Sequence, residues 1–183
     1  MVTTSTIMTV EQFEEQELEH SQFELWWGEL REMPPDGIEH SGFGLGIGAE
    51  LRAFVRPRGL GLVTGSDGRF VLDRPAKLVL VPDAAFIVAE RLPSGPLIEK
   101  AFEGAPDLAV EIASPTDRTR KVEEKAAVWL QYGARLVWIL WPRTRTVTVR
   151  TPDGGRRTLG PDDTLDGGVV LTGFSIAVAE LFR

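Results

Sequence analysis

One carboxylate, Glu111, interrupts the apolar run Leu108–Ala113, which is long enough for a single strand. An ionised glutamate is rarely buried without a partner, because removing its hydration shell is costly unless a cation or hydrogen-bond donors replace the water. Asp107 lies on the same face of this strand, since side chains alternate along a strand. We therefore expect another part of the chain to supply a partner for Glu111.

A second acid, Asp83, lies in the predicted strand Lys77–Val88, which is broken at Pro82 and Asp83. Side-chain alternation gives Asp83 a definite orientation, although Pro82 could introduce a bulge. If this strand is a neighbour of the Glu111 strand, Asp83 and Glu111 converge on one side of the sheet. Two convergent carboxylates with water form a natural site for Mg²⁺, which prefers oxygen ligands.

The helix predicted after Glu111 carries a lysine on its apolar side. Residues at helical spacing form a stripe that should face the sheet, and this stripe consists of Val122, Lys125, Ala126, Trp129 and Tyr132. An inward lysine beside two inward carboxylates is consistent with a catalytic cluster. A structural ion pair explains the same spacing equally well, so the pattern alone leaves both interpretations open.

Composition excludes several other kinds of site. The 183 residues include no cysteine, which rules out disulfides, thiolate nucleophiles and cysteine-based zinc sites. The two histidines, His20 and His40, are too few for a histidine-rich metal site. The length and hydrophobic content predict one domain over residues 1–183. We expect a cytoplasmic protein with no membrane partner, because the chain has neither a bilayer-length apolar run nor a signal-peptide pattern.

The net charge of −7 is concentrated near the N-terminus. Residues 1–40 contain ten acids and one base, whereas the rest of the chain holds 17 acids and 19 bases. This distribution weakens the electrostatic objection to a polyanionic substrate. Arginines near the predicted C-terminal hairpin are a candidate phosphate-binding patch, although exposed charges on a solvated hairpin explain them more simply: Arg143, Arg145, Arg150, Arg156 and Arg157.

The remaining pattern predicts a mixed α and β chain. Thr9 and Gln12 have the spacing of a capping box before a short acidic helix. Further helices are predicted over 38–55 and 115–132, and strands over 23–33 with a turn near Gly28, 61–64, 69–72, 77–88, 108–113, 136–141 and 146–150. Residues 152–168 have the composition of turns, and apolar runs at 169–171 and 174–182 close the chain.

The predicted helix Ile38–Val55 contains glycines at positions 42, 44, 46 and 48. These glycines lack the G-x-G-x-x-G spacing and the strand entry of a dinucleotide loop, so we expect them to permit close helix packing instead. The helical spacing is carried by Ile38, Leu45, Ala49 and Ala53, with further apolar residues nearby at Ile47, Leu51, Phe54 and Val55.

Five segments, in a fixed order, connect the sequence to a known family. They are FELWWGELREMPP followed by His40, then VPDAAFIV, PDLAVEIASPTDR, KAAVWLQYGARLVWILWP and LTGFSIAVAELF. With these segments, which span nearly the whole chain, the sequence resembles the Uma-two (Uma2) family of PD-(D/E)XK, restriction-endonuclease-like proteins. The resemblance implies an α+β (α/β) fold with a restriction-endonuclease-like core. In that core a central mixed β-sheet is flanked by helices, with an N-terminal helix and β-hairpin additions.

The resemblance also implies roles for individual residues. Asp83 matches the metal-binding Asp and Glu111 the acid of the second strand, with the Ile112 carbonyl as a further ligand of Mg²⁺ or Mn²⁺. Ala113 stands where many PD-(D/E)XK enzymes have the catalytic lysine, and this family supplies that lysine from the next helix, here Lys125. Additional candidate site residues are Glu29, His40 and Asp107.

The activity implied by the resemblance is metal-dependent endonuclease cleavage of nucleic acid, with DNA favoured over RNA. Lys125 would orient the attacking water or help to deprotonate it, and a homodimer is expected. Three alternatives stay open at this point. They are a catalytically inactive binding or assembly module with the nuclease fold, a metal-dependent hydrolase of a smaller phosphate ester, and a purely structural carboxylate–lysine cluster.

Overall fold

The computed structural model describes residues 7–15, 23–33, 37–95, 101–115 and 118–183. The helices are α1 (Val10–Glu15), α2 (Ile38–Val55) and α3 (Thr119–Gln131). The strands are β1 (Phe23–Trp26), β2 (Glu29–Glu32), β3 (Gly61–Thr64), β4 (Phe70–Asp73), β5 (Leu78–Leu80), β6 (Ala84–Val88), β7 (Phe102–Glu103), β8 (Leu108–Ile112), β9 (Leu136–Trp141), β10 (Thr146–Arg150), β11 (Arg156–Leu159), β12 (Thr164–Gly167) and β13 (Leu171–Ala177). Short 3₁₀ turns occupy Arg56–Arg58, Ala89–Arg91 and Val178–Phe182.

A six-stranded mixed sheet lies at the centre, in the order β11-β10-β9-β8-β6-β3. Strands β8 and β9 are parallel and are connected through α3, whereas β6 runs antiparallel to β8. A five-stranded sheet, β2-β1-β5-β4-β7, and the pair β12-β13 complete the fold. The predicted fold class, a central mixed sheet with flanking helices, is confirmed.

The two faces of the central sheet pack against different helices. On one face, Leu108, Val110 and Ile112 of β8 share a core with the buried side of α2. On the other face, Ala109 and Ala113 share a core with α3. Glu111 alternates with the first set of residues, so its side chain lies on the α3 side.

The strand predicted over Lys77–Val88 is two strands rather than one, and the predicted break at Pro82 and Asp83 is confirmed. Strand β5 belongs to the five-stranded sheet and β6 to the six-stranded sheet, so the chain crosses between sheets at residues 81–83. Pro82 has no N–H to donate to a continuing ladder, which is a physical reason for the break. Because of this crossing, Asp83 lies beside both sheets.

Helix α2 has the predicted bounds, but its buried face is not the predicted stripe. Ile47, Leu51 and Val55 are buried, whereas Ile38 and Leu45 are 92% and 77% exposed. The expectation of close packing at the glycines also fails for three of the four. A Cβ added at position 42, 46 or 48 meets no described atom within 4 Å.

Other local predictions have mixed outcomes. The Thr9–Gln12 capping box is confirmed, because each backbone N–H donates to the other side chain, at 2.9 and 3.2 Å. Helix α3 begins at Thr119 rather than at Pro115, and residues 116 and 117 of the predicted start lie outside the described residues. The segment predicted as turns contains β11 and β12. Among the described helices, none is long and apolar enough to cross a membrane.

Candidate functional site

Asp83 and Glu111 lie opposite each other on neighbouring strands. The β6–β8 register pairs Ala84 with Val110, which sets Asp83 against Glu111 at the next antiparallel position. The Asp83 N–H donates to the Val110 carbonyl at 3.0 Å, and Asp83 Oδ2 accepts a hydrogen bond from the Ile112 N–H at 2.5 Å. The Asp83 carboxylate thus continues the hydrogen-bond ladder between β6 and β8 just before the first residue of β6. The two acids singled out by the sequence therefore lie at one position of the sheet.

Two side chains of α3 contact the buried carboxylate of Glu111. Lys125 Nζ is 3.0 Å from Glu111 Oε2, and Trp129 Nε1 donates to Glu111 Oε1 at 2.7 Å. Lys125 and Trp129 are four residues apart and so lie on one face of the helix. The partner sought for Glu111 is thus Lys125, with the Trp129 indole as a second donor.

A third carboxylate, Glu24 of β1, was not predicted as a site residue. It is 6% exposed, and Glu24 Oε1 is 2.8 Å from Lys125 Nζ and accepts a hydrogen bond from the Val81 N–H at 3.0 Å. Its other oxygen accepts from Trp26 Nε1 at 2.8 Å. Lys125 also donates to the Val81 carbonyl at 2.8 Å. The ammonium group therefore joins the two sheets through three acceptors.

Glu24 carried the same sequence signal as Glu111, since it is one acid among the apolar residues of the segment FELW. The acid chosen from that hairpin instead, Glu29, is 71% exposed at its side chain and lies 3.9 Å from Arg31. The structure thus brings Glu24, and not Glu29, to the cluster.

The buried cluster has more carboxylates than cations, and its pKa values reflect that. Burial is the largest influence on Glu111, and it raises the pKa of this carboxyl to about 8 against the opposing effect of Lys125. The charges of Asp83 and Glu24 raise it further. Burial lowers the pKa of Lys125, but the charges of Glu111, Glu24 and Asp83 outweigh burial and hold that pKa above its usual range. Lys125 therefore stays an ammonium ion at neutral pH.

The raised pKa of Glu111 predicts a pH-dependent stability. The folded chain binds a proton at Glu111 that the unfolded chain loses near pH 4.5, so stability should fall as pH rises from about 4.5 to about 8. This one group contributes at most a decline of about 1.4 kcal/mol per pH unit in the free energy of unfolding. Denaturant unfolding of the wild-type chain and Glu111→Gln at pH 5 and pH 8 isolates it. The variant should gain stability relative to wild type at pH 8. If the difference in unfolding free energy between the two chains were the same at pH 5 and pH 8, the raised pKa of Glu111 would be contradicted.

His40, at the start of α2, contacts the Asp83 side of the cluster. Its Nε2 is 2.8 Å from the Ile112 carbonyl oxygen and 3.7 Å from Asp83 Oδ1. The side chain is about nine-tenths buried. The structure therefore brings His40 to Asp83 and Ile112, two of the three residues predicted as metal ligands.

Asp107 is buried at the opposite end of β8. Asp107 Oδ2 accepts hydrogen bonds from the Val88 N–H at 3.0 Å and from Arg91 Nη1 at 3.1 Å, and Arg135 lies 3.7 Å from its other oxygen. Glu111 is four positions further along the chain, at a distance of about 13 Å in an extended strand. These contacts give Asp107 a structural explanation that does not involve the cluster.

Asp107→Asn should therefore lower stability without changing any catalytic activity. Loss of the charge weakens the bonds to Arg91 and Arg135, at a cost of about 1–3 kcal/mol in the free energy of unfolding. Urea denaturation and a cleavage assay measure the two effects. Glu29→Gln is the control, since an exposed pair contributes little. If Asp107→Asn is fully folded but has lost cleavage activity, Asp107 belongs to the catalytic site.

The donor atoms of the cluster suit a divalent metal ion better than their present arrangement does. Among the described residues, no group of three or more His, Cys, Asp or Glu side chains is arranged as a ready-made metal site. The donors of the cluster are nevertheless carboxylates and a carbonyl, which suit Mg²⁺. Glu24 and Glu111 also contact the ammonium of Lys125, and the charge of Asp83 acts on it as well. Donor type and charge thus fit a cation held by Asp83, Glu111 and the Ile112 carbonyl, if His40 moves off that carbonyl.

Three of the five C-terminal arginines proposed as a phosphate-binding patch are paired with acids. Glu123 pairs with both Arg150, at 2.5 Å, and Arg156, at 3.1 Å. Arg157 is 3.0 Å from Asp166. The simpler interpretation, charges on a solvated hairpin, accounts for these three residues.

Comparison of the chain with known proteins identifies its family. The family model described as "Uma2: Putative restriction endonuclease" matches residues 10–179. The chain belongs to the Uma2 family. A search of the curated proteins found no match. Among solved structures, the chain is similar to one titled "a putative nuclease belonging to DUF820", from Anabaena variabilis. The two are 21% identical and superpose with a TM-score of 0.83 over 96% of this chain and 97% of the other, which shows a shared fold.

Proposed function

We propose that this Uma2 chain is a divalent-metal-dependent endonuclease that hydrolyses phosphodiester bonds of nucleic acid, with DNA preferred to RNA. The observation that carries the proposal is the pairing of Asp83 with Glu111 on adjacent strands, beside the buried ammonium of Lys125. Burying Glu24 and Glu111 around one lysine, with Asp83 nearby, costs stability, which a role in folding alone does not explain. Membership of the Uma2 family supports the same activity. A homodimer and a cytoplasmic location stay predictions.

Asp83, Glu111 and the Ile112 carbonyl are the residues that would hold Mg²⁺ or Mn²⁺. A cation bound there would polarise the phosphate and lower the pKa of an attacking water. His40 moves from the Ile112 carbonyl in this scheme and remains beside the Asp83 carboxylate. Trp129 fixes one oxygen of Glu111 and so limits the orientations of that carboxylate.

Lys125 has an electrostatic and positioning role in this mechanism. Its ammonium contacts Glu24, Glu111 and the Val81 carbonyl, and its raised pKa makes it a poor proton acceptor. The water oxygen forms the new bond to phosphorus as the bond to the leaving sugar oxygen breaks. The water proton therefore leaves by a route other than Lys125, while the ammonium offsets negative charge on the phosphate.

The experiment is a cleavage assay on supercoiled plasmid, linear duplex, single-stranded DNA and RNA, each with Mg²⁺, Mn²⁺ or EDTA. We expect metal-dependent cleavage of DNA that is lost in Asp83→Asn. A small phosphodiester, bis(p-nitrophenyl) phosphate, is included to test for a hydrolase of smaller esters. Absence of cleavage on every nucleic acid, or equal cleavage by Asp83→Asn, would contradict the proposal.

A second candidate function is a catalytically inactive module that binds nucleic acid or another partner. It is favoured by the contact of His40 with the Ile112 carbonyl and by the three acceptors that already surround Lys125. Calorimetric titration with Mn²⁺ separates the two functions. An inactive module should show no binding that depends on Asp83 and Glu111, whereas the endonuclease should.

A further inference from the structure

A cleft of about 460 Å³ opens beside the candidate site, between α2 and the turn after β3. His40 and Asp83 line one part of it, and Gly65 and Ser66 of the turn line another. The volume lies in the lower part of the range for small-molecule sites, so it accommodates a portion of one nucleic-acid strand more readily than a duplex. The cleft thus reaches Asp83, one of the residues proposed to hold the metal ion.

The α2 wall of this cleft is formed by residues four apart in the sequence. His40, Gly44, Gly48 and Arg52 all line it, and this spacing puts them on one face of the helix. A Cβ at Gly48 would meet no described atom within 4 Å, and one at Gly44 would make only ordinary contacts with Ile112 and Asp83, at 3.7 and 3.9 Å. The glycines keep the middle of the cleft open. This accounts for Gly48, one of the three glycines in α2 that helix packing does not explain.

Arg52 lines the cleft twelve residues after His40, about 18 Å further along the helix. The structure records no ion pair or hydrogen bond between its guanidinium group and any described residue. Arg150, Arg156 and Arg157, by contrast, all pair with acids. Asp83 is the one acid among the described residues that line the cleft, and it belongs to the candidate site. Arg52 is therefore a positive charge available to an anion at the far part of the cleft.

We infer that this cleft binds a single strand of the nucleic-acid substrate, with Arg52 contacting a phosphate away from the cleaved bond. The inference rests on the proposed function, because the strand is placed by the site at Asp83. A strand that follows the glycine face of α2 has one phosphate at the His40 end and another within reach of Arg52. The substrate class is then nucleic acid with a single-stranded segment, such as a loop, a flap or a frayed end. Arg52 is a positioning residue in this arrangement.

The first test fills the cleft without disturbing the fold. Gly48→Leu places a side chain in the open cleft, and Gly46→Leu is the matched control, since position 46 is also free of contacts and does not line the cleft. Both changes remove a helical glycine and so should not weaken α2. Anisotropy with a labelled single-stranded oligonucleotide in EDTA should show binding weakened about tenfold or more in Gly48→Leu and little changed in Gly46→Leu. Equal affinities, no binding by the wild-type chain, or a loss confined to duplex would overturn the inference.

The second test measures the charge of Arg52 through salt dependence. Arg52→Ala should reduce the slope of log affinity against log salt by about 0.7 for a single strand, the amount expected for one phosphate contact. In the cleavage assay it should raise KM about tenfold and leave kcat nearly unchanged. Arg143→Ala, in the exposed turn between β9 and β10, is the control. If the salt dependence of binding is the same in Arg52→Ala as in the wild-type chain, Arg52 does not contact a phosphate of the bound strand.

These tests are separable from the endonuclease proposal. If Gly48→Leu loses oligonucleotide binding and the wild-type chain cleaves nothing, strand binding in the cleft is supported and the endonuclease proposal is contradicted. If the wild-type chain cleaves DNA and Gly48→Leu cleaves and binds equally well, the endonuclease proposal is supported and strand binding in the cleft is contradicted.

Discussion

Glu111→Gln is expected to lower metal-dependent cleavage by about 10²- to 10³-fold, the size of effect seen when one electrostatic group of an active site is removed. Glutamine has nearly the shape of glutamate, and its carbonyl can still accept the Trp129 hydrogen bond. It lacks the charge needed to help hold a divalent cation. Initial rates on DNA with Mg²⁺ at saturating substrate measure the change.

The stability of the same variant should change in the opposite direction. Glutamine removes a carboxyl whose pKa burial raises to about 8, so the folded state no longer carries that cost at alkaline pH. The control is Glu124→Gln on the exposed side of α3, which should leave both rate and stability nearly unchanged. Activity and stability that fall together in Glu111→Gln would indicate a structural carboxylate instead.

Lys125→Met is expected to reduce the free energy of unfolding by about 3–5 kcal/mol, because it leaves buried acids without their cation. Glu24 and Glu111 lose contacts of 2.8 and 3.0 Å, and the Val81 carbonyl loses its donor. Chemical denaturation at pH 8 measures the loss. Lys121→Met is the matched control, since Lys121 is exposed one turn earlier on the same helix.

The double variant Lys125→Met with Glu111→Gln separates structure from catalysis. Removing both charges should recover part of the lost stability, because replacing a buried ion pair by neutral groups is often neutral or favourable, while Glu24 keeps only its Trp26 and Val81 donors. Cleavage in the double variant should be no higher than in Glu111→Gln if Lys125 and Glu111 act on the substrate. A stable double variant with wild-type cleavage would establish the purely structural cluster.

The part of the site that the sequence predicts is the part built by short-range patterns. Glu111 was found as one acid in an apolar strand, and Lys125 as one cation in the apolar stripe of the next helix. The two are 14 positions apart in a strand–helix unit, so the periodicity of each element is enough to orient them. Side-chain alternation also gave Asp83 an orientation, but its place beside Glu111 depended on the two strands being neighbours, which the β6–β8 pairing shows.

Glu24 could not be placed by such patterns because it comes from another sheet. Its contact with Val81 joins positions 57 residues apart and depends on the pairing of β1 with β5, which hydrophobic periodicity does not reveal. The choice of Glu29 followed from the family resemblance and not from burial. The lone-acid criterion that identified Glu111 would have identified Glu24 if it had been applied to β1.

The face of α2 was misassigned for a related reason. Apolar residues occur on both sides of this helix, so the spacing of Ile38 and Leu45 was as regular as that of Ile47 and Leu51. Only the second pair packs against the central sheet. The first pair is exposed, and burial depends on the position of β3, β6 and β8 around the helix, which is tertiary information.

The central claim is that Asp83 and Glu111 together hold a divalent cation. Crystals of the chain soaked in Mn²⁺ and measured at the manganese absorption edge test this claim most directly. We expect an anomalous peak at Asp83, Glu111 and the Ile112 carbonyl, with His40 displaced from that carbonyl and the peak absent in Asp83→Asn. A structure with no peak between the two carboxylates, and with the His40 and Lys125 contacts unchanged, would contradict it.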